Sequence, residues 1–397
     1  MDFTLPEHIT ALSERVRAFV EDEVIPLESQ AKAADGLPPE LLAPVRQKAK
    51  AAGLWAPQLP VEYGGQGLDL TGICAVFEQA GRSLLGPLAL NCAAPDEGNM
   101  HLLHLAATPE QKEKYLRPLA AGDIRSCFAM TEPHPGAGAD PTMIQTTAAL
   151  RGDADRWVIN GHKWYATGGD GAAFYIVMAR THLNVEPARG CSLFLVDAGT
   201  PGLELVRRVP GLGVRAPGGH AELQFKDCAV PASQMLGGEG RGFQLTQQRL
   251  GPARLTHCMR WIGIAQRAQE IAGARAKERS AFGGPLAGHQ AVQWMLADSA
   301  LDLHASRLMV WHAAWKIQQG DEARQETSMC KVFVAEAINR VIDRALQICG
   351  ALGVSTDLPL GDFYREARLF RIYDGPSEVH RMVIARQVLK RLPARPR

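Results

Sequence analysis

Residues 371–386 read RIYDGPSEVHRMVIAR. A carboxylate, Asp374, is followed by Gly375 and Pro376 and then by a run with helical spacing. Glycine frees the backbone at 375, and proline suits the first position of a helix. The segment therefore places a carboxylate at the mouth of a helix, where a small molecule can approach it. Held in that way, a carboxylate can take a proton from a carbon acid. Aspartate is also a favoured N-cap and Asp-Gly a favoured turn. In isolation the segment fits a helix cap better, so the rest of the chain must decide.

Working outward, Val334, Ile338, Val341, Ala345 and Ile348 follow a stripe of alternating four- and three-residue steps, and Leu296, Leu303, Val310 and Ile317 recur every seven residues. Both are seams of long bundle helices. Before them, residues 126–235 break into short β-rich runs at Trp157–Ile159, Phe174–Ala179, Ser192–Val196, Leu203–Val206 and Glu222–Phe225. Turn residues and no helix-length segments separate these runs, which favours an antiparallel barrel or sandwich over a parallel sheet. Residues 1–125 read mostly as helices, punctuated at Gly36–Pro39, Pro57–Pro60 and Gly64–Gly67. The expected architecture is α+β and mainly α: a helical domain over 1–125, a β-domain over 126–235 and a helical bundle over 236–397.

Composition narrows the function classes. With 43 basic and 42 acidic side chains in 397 residues, the net charge of +1 gives no electrostatic case for nucleic acid or an anionic membrane. No stretch approaches the roughly 18 apolar residues of a membrane span. Eight scattered cysteines without a CxxC pair point to small buried side chains in a reducing compartment. At the N-terminus, Ile9, Leu12, Val16 and Phe19 form one helix face among acidic residues, with no apolar leader ahead of them. The C-terminal RLPARPR is no peroxisomal address. A cytoplasmic location is expected. His101 and His104 share a helix face without companion ligands, so no metal is expected. Gly238, Gly240 and Gly242 read as a turn before a helix, because no βαβ unit surrounds them.

Two further segments carry chemistry. In Cys127–Asp140, CFAMTEPHPGAGAD, Thr131 brings a hydroxyl, and Gly136 and Gly138 let backbone amides turn toward a ligand. In Ile159–Thr167, INGHKWYAT, Tyr165 stands two residues before the hydroxyl of Thr167. An aromatic plane beside hydroxyls and backbone donors suits a flat polar heterocycle. The Asn160-Gly161 dipeptide equally signals a hairpin turn, and the two readings are compatible.

These motifs, with Arg279-x-x-Phe282-Gly283, Gln290, Gln347-x-x-Gly350 and YDGPSEVHR, resemble the acyl-CoA dehydrogenase family. The resemblance extends to PVEYGGQGLD (60–69), ELQFKDCAVP (222–231) and LGGEGRGF (236–243), in order along nearly the whole chain. NCAAPDEGNM (91–100) and RLGPARLTHCMR (249–260) resemble the branch found as the dehydrogenase module of kinase-fused animal proteins. The resemblance implies an N-terminal helical domain, a middle antiparallel β-barrel domain and a C-terminal four-helix bundle, with FAD between the last two. Phe128, Met130, Thr131, Gly138, Ala139, Tyr165 and Thr167 would line the flavin, with Ala351, Pro376 and Glu378 as further cofactor positions. Arg279, Phe282, Gln290, Gln347 and Gly350 would reach the FAD of a neighbouring subunit, which implies a homodimer or homotetramer. A guanidinium suits that task, because it can clamp a pyrophosphate through two bonds.

In this family a base removes the α-proton of an acyl-CoA thioester as hydride leaves the β-carbon for FAD. Asp374 falls on the base position. Ala139, Arg254 and Gly375 fall on substrate positions, and the family's second location for a base falls on Ala253, which cannot serve. The implied activity is oxidation to a trans-2-enoyl-CoA within fatty acid β-oxidation, with electrons passed to an electron-transfer flavoprotein. The chain departs from the commoner pattern at several places. Asp374 is shorter than the usual glutamate, Pro376 replaces a threonine, Ala139 a serine and Ala351 a glycine, and the TEP loop is longer. Alternatives on the same fold are a hydroxylated acyl-CoA substrate, foreshadowed by Asp96 and Asn99, an oxygen-using oxidase of the nitroalkane or acyl-CoA oxidase type, and a non-catalytic acyl-CoA-binding scaffold. For Asp96 and Asn99, a helix-capping role is the simpler expectation.

Overall fold

The computed structural model describes residues 4–31, 37–152, 155–213 and 217–392. Gly36 and the end of the RLPARPR segment lie outside these residues. The chain forms two compact units, one of Met1–Glu28, Leu68–Pro87 and Gly251–Arg397, the other of Ser29–Gly67 and Leu88–Leu250. No helix among the described residues is long and apolar enough to cross a membrane. All eight cysteines are buried free thiols.

The first unit is helical. Glu7–Phe19 buries Ile9, Leu12, Val16 and Phe19, the face anticipated from their spacing. It packs on the helix Leu70–Ala80, whose N-cap Asp69 accepts a bond from the Gly72 amide at 2.7 Å. The approach is close: a Cβ at Gly72 would sit 2.9 Å from the Ile9 side chain. The Gly242–Glu278 helix from Gly251 onward and the helices Gln290–Gln318, Arg324–Cys349, Leu360–Phe370 and Ser377–Arg391 complete this unit. Val334, Ile338, Val341, Ala345 and Ile348 are all buried in the Arg324–Cys349 helix. On the Gln290–Gln318 helix only Leu303 and Val310 of the heptad stripe are fully buried, while Leu296 and Ile317 are half-buried.

The second unit contains an eight-stranded sheet of β1 (Ser126–Ala129), β2 (Thr147–Arg151), β3 (Arg156–Thr167), β4 (Phe174–Arg180), β5 (Cys191–Asp197), β6 (Leu203–Arg208), β7 (His220–Pro231) and β8 (Met235–Leu236). Its order is β6-β7-β3-β2-β4-β5-β8, and β1 pairs with β4. Pairing is antiparallel except for β1 and β2 against β4. Strands β4 and β5 are buried on both faces, which explains their unbroken apolar runs.

Asn160-Gly161 is not a hairpin turn. β3 continues through it, and its register with β7 shifts between Ile159 and Gly161. A Cβ at Gly161 would meet the Thr146 hydroxyl at 2.3 Å, and Asn160 accepts from the Asp227 amide at 2.8 Å. The dipeptide serves a bulge, where one residue needs close backbone approach. Nor do Asp96 and Asn99 cap their helix, Asp96–Ala106. Asp96 accepts from the Ser126 amide at 2.8 Å and hydroxyl at 2.5 Å, and Asn99 donates to that hydroxyl at 2.9 Å. Both side chains tie the helix to the start of β1.

Candidate functional site

Asp374 lies in the turn between the helices Leu360–Phe370 and Ser377–Arg391. Its φ of 56° is left-handed, and Gly375 follows at 97°. Two consecutive left-handed residues reverse the chain sharply before Pro376, which is the N-cap of the second helix rather than its first residue. A Cβ at 375 would also meet His380 Nε2 at 2.6 Å, so glycine is required on two grounds. Pro376 makes no side-chain cap, and the Asp374 carboxylate turns elsewhere. Its Oδ2 is hydrogen-bonded to His257 Nδ1 on the Gly242–Glu278 helix. A carboxylate only accepts, so Nδ1 carries the hydrogen.

The backbone at this corner is pinned from three helices. Arg254 Nε donates to the Asp374 carbonyl at 3.0 Å, and His380 Nε2 donates to the same oxygen at 3.1 Å. Burial, aided by the Arg254 charge, pushes His380 down to about 4, so its ring is neutral and Nδ1 accepts from Ser328 at 3.1 Å. Lys331 is fully buried; it donates to the Phe370 carbonyl at 2.5 Å and lies 3.5 Å from the Gly375 carbonyl. Its ammonium also sits 4.1 Å from the Phe370 ring centre, and burial pulls it below its ordinary value. The carboxylate is held through one oxygen only. His257 is its one partner among the described residues, and no described group accepts from the Asp374 N–H.

In the sheet unit, Phe128 on β1 lies under the Arg249 guanidinium at 4.3 Å, and Met130 and Thr131 continue from the strand. The Thr131 carbonyl accepts from the Trp164 amide at 2.9 Å, which joins this loop to β3 and to Tyr165 and Thr167. Tyr165 has a φ of 49° and is 47% exposed, so its ring is presented while it stays edge-on to Trp164 and His220. Thr167 Oγ1 lies 3.0 Å from His220 Nδ1, and burial lowers that imidazole. The loop between is set by Glu132. Its carboxylate takes Lys163 Nζ at 2.8 Å, the Thr146 hydroxyl and amide at 2.5 and 2.9 Å, and the Gln145 and Ala137 amides at 2.7 and 3.3 Å. Burial works to raise this carboxyl, but the Lys163 charge and the other donors outweigh it and hold it below the usual range.

The glycines of the loop divide accordingly. A Cβ at Gly136 would collide with Glu132 at 2.3 Å, whereas one at Gly138 would meet nothing within 4 Å. Gly138 and Ala139 are exposed, and nothing inside the fold demands a glycine at 138. Open space beside turned amides, a presented aromatic ring and a hydroxyl make a donor set that fits a flavin. In the helical unit, Arg279, Phe282, Gln290, Gln347, Gly350, Ala351 and Glu378 are all exposed. Phe282 is 95% exposed with a φ of 52°, and the Arg279 side chain pairs with no described acid. Among the described residues no group of three or more potential ligands could hold a metal.

The quoted motifs contain Glu132, Lys163, His257 and His380 without roles for them, and Lys331 lies outside every quoted motif. The only available signal was a polar residue at a core-facing position, and its partner lies far away in the chain.

Comparison with known proteins identifies the class. The acyl-CoA dehydrogenase N-terminal, middle and C-terminal domains match residues 6–123, 127–228 and 240–389. "Probable acyl-CoA dehydrogenase FadE2" of Mycobacterium tuberculosis is 40% identical over 98% of each chain. "Acyl-CoA dehydrogenase family member 11" of Gallus gallus is 41% identical over 88% of this chain, which matches only 45% of that longer protein. The butyryl-CoA dehydrogenase structure from Megasphaera elsdenii superposes with a TM-score of 0.87 at 29% identity, covering 98% of this chain and all of the other. The FAD complex of PigA has the same TM-score at 26% identity, over 99% of this chain and all of the other. The fold defines a flavoprotein oxidoreductase acting on CH–CH groups, with FAD as its cofactor. This chain belongs to the acyl-CoA dehydrogenase family, in the branch that includes family members 10 and 11 and FadE2.

Proposed function

We propose that the protein oxidises an acyl-CoA thioester to the trans-2-enoyl-CoA, with Asp374 as the base. The observation that carries this is the Asp374 corner, where the backbone is pinned from three helices while one carboxylate oxygen has no partner among the described residues. A thioester α-proton is weakly acidic, so its removal needs a placed base and a donor to the enolate-like oxygen. Asp374 can supply both, the proton acceptor through Oδ1 and the donor through its own N–H. Arg254 and Gly375 flank it as substrate contacts, and Ala139 is a further candidate substrate position.

Phe128, Met130, Thr131, Gly138, Ala139, Tyr165, Thr167, Ala351, Pro376 and Glu378 would hold FAD. When bound, FAD supplies the two-electron acceptor for hydride from the β-carbon. Arg279, Phe282, Gln290, Gln347 and Gly350 would contact the cofactor of a neighbouring subunit, and the near-complete exposure of Phe282 supports a homodimer or homotetramer. We assign residues 1–125, 126–235 and 236–397 to the N-terminal, middle and C-terminal domains. The electrons pass to an electron-transfer flavoprotein, in cytoplasmic fatty acid β-oxidation. Anaerobic titration of the purified flavoprotein with acyl-CoAs from butyryl to palmitoyl tests the reaction. Bleaching by one chain-length class is expected. Fast peroxide formation in air would replace the dehydrogenase with an oxidase, and a flavin untouched by every saturated thioester would remove the substrate class.

A further inference from the structure

The Gly242–Glu278 helix turns one face toward the Asp374 corner. Arg254, His257 and Trp261 are spaced at i, i+3 and i+7, so they share that face. Arg254 bonds the Asp374 carbonyl at 3.0 Å, and Trp261 Nε1 donates to the Tyr373 hydroxyl at 2.6 Å. His257 lies between them, 6% exposed, with its ring edge-on to Tyr373 at 5.8 Å between centres. It alone of the three reaches the carboxylate.

The two histidines at this corner differ in a telling way. His380 has both nitrogens engaged, one on Ser328 and one on a carbonyl, as a buried structural imidazole should. His257 makes a single hydrogen bond, to the carboxylate, and its buried Nε2 has no partner among the described residues. Burying an imidazole with one nitrogen unsatisfied is costly, and the one bond retained goes to the group assigned as base.

We propose that His257 is the positioning residue of that base: its Nδ1–H anchors Oδ2 of Asp374 and so fixes Oδ1 as the oxygen that takes the α-proton. This rests on Asp374 being the base. An aspartate carboxylate free to rotate about χ2 would present either oxygen or neither, and a misplacement of about 1 Å can cost on the order of a hundredfold in rate. With Oδ2 held, the α C–H bond breaks, an O–H bond forms at Oδ1, and the Nδ1–H bond to Oδ2 persists. The anchor also complements the short side chain, which has one torsion fewer to fix than glutamate and a backbone already set by Arg254, His380 and Lys331.

Three variants of the holoenzyme separate the possibilities: D374N, H257F, which keeps a packed ring without a donor, and H257N, whose amide returns a donor near Nδ1. The reading is the anaerobic bleaching rate with the acyl-CoA series, together with the thioester dissociation constant. H257F should slow the limiting rate about tenfold to a hundredfold, with the dissociation constant changed less than about twofold and most of the rate restored in H257N. Equal rates in H257F and wild type, or equally slow H257F and H257N, would overturn the positioning role. Undiminished bleaching in D374N would instead remove the base itself. Should H257F fail to fold, NMR of histidine-labelled holoenzyme decides. A low-field Nδ1 proton that is absent from H257N should move in D374N, and one indifferent to D374N rules the anchor out.

Discussion

Glu132 in the sheet unit and Asp374 in the helical unit are both carboxylates on tight loops, held in opposite ways. Glu132 accepts five hydrogen bonds, and its side chain is 2% exposed. Asp374 accepts one, and its side chain stays 16% exposed. A carboxylate offers about four lone-pair sites, so Glu132 is saturated and can only shape the TEP loop. Asp374 has its backbone carbonyl bonded twice, while its N–H and one carboxylate oxygen have no partner among the described residues. The same functional group is therefore a rivet in one place and, in the proposed function, a reagent in the other, and the number of donors around it makes the difference.

The largest effect should come from the open carboxylate. D374N is expected to retain its flavin while bleaching by acyl-CoA slows about 10³- to 10⁴-fold, the upper range for a positioned general base. Stopped-flow spectroscopy measures this, and wild-type bleaching would end the contrast between the two carboxylates.

Next comes the rivet. K163M leaves Glu132 buried with its countercharge gone, and removing one partner of a buried pair costs about 3–5 kcal/mol. Denaturant unfolding should report that loss, and the variant should also shed FAD more readily through disorder of the TEP loop. A stability change under about 1 kcal/mol would mean that the pair does not hold the loop.

His380 sharpens the comparison through pH. Its ring is pushed down to about 4 in the fold against 6.5 ordinarily, so between those values the unfolded chain binds the extra proton. Stability should therefore fall as pH drops from about 6.5 toward about 4, by up to ~3 kcal/mol at ~1.4 kcal/mol per unit. H380Q should flatten that portion of the profile in chemical denaturation. An unchanged slope would relieve His380 of its place beneath Asp374.

The smallest effect is expected at Arg279, which lies on the surface. R279A should weaken FAD retention about tenfold to a hundredfold, in line with ~1.5–3 kcal/mol for a charge-assisted hydrogen bond. Gel filtration should show looser subunit association together with the flavin loss. If both readings stay at wild-type values, Arg279 does not touch a neighbour's cofactor.

The sequence by itself determined the helix faces, the β-rich middle and the acid at a Gly-Pro corner. Each of these is written in neighbouring residues: Ile9 to Phe19 repeat at helical intervals, β4 and β5 are unbroken apolar runs, and Asp374, Gly375 and Pro376 are consecutive. Local chemistry could not separate competing uses of one dipeptide, so Asn160-Gly161 read as a turn until Thr146 and Asp227 took up the space and bonds of a bulge. Only the tertiary structure decided how the polar core is partnered. His257 and Asp374 are 117 residues apart, and Lys163 and Glu132 are 31 apart. A buried polar side chain is stable only with its partner in place, and that partner is chosen by the packing of whole helices and strands, which no local pattern records.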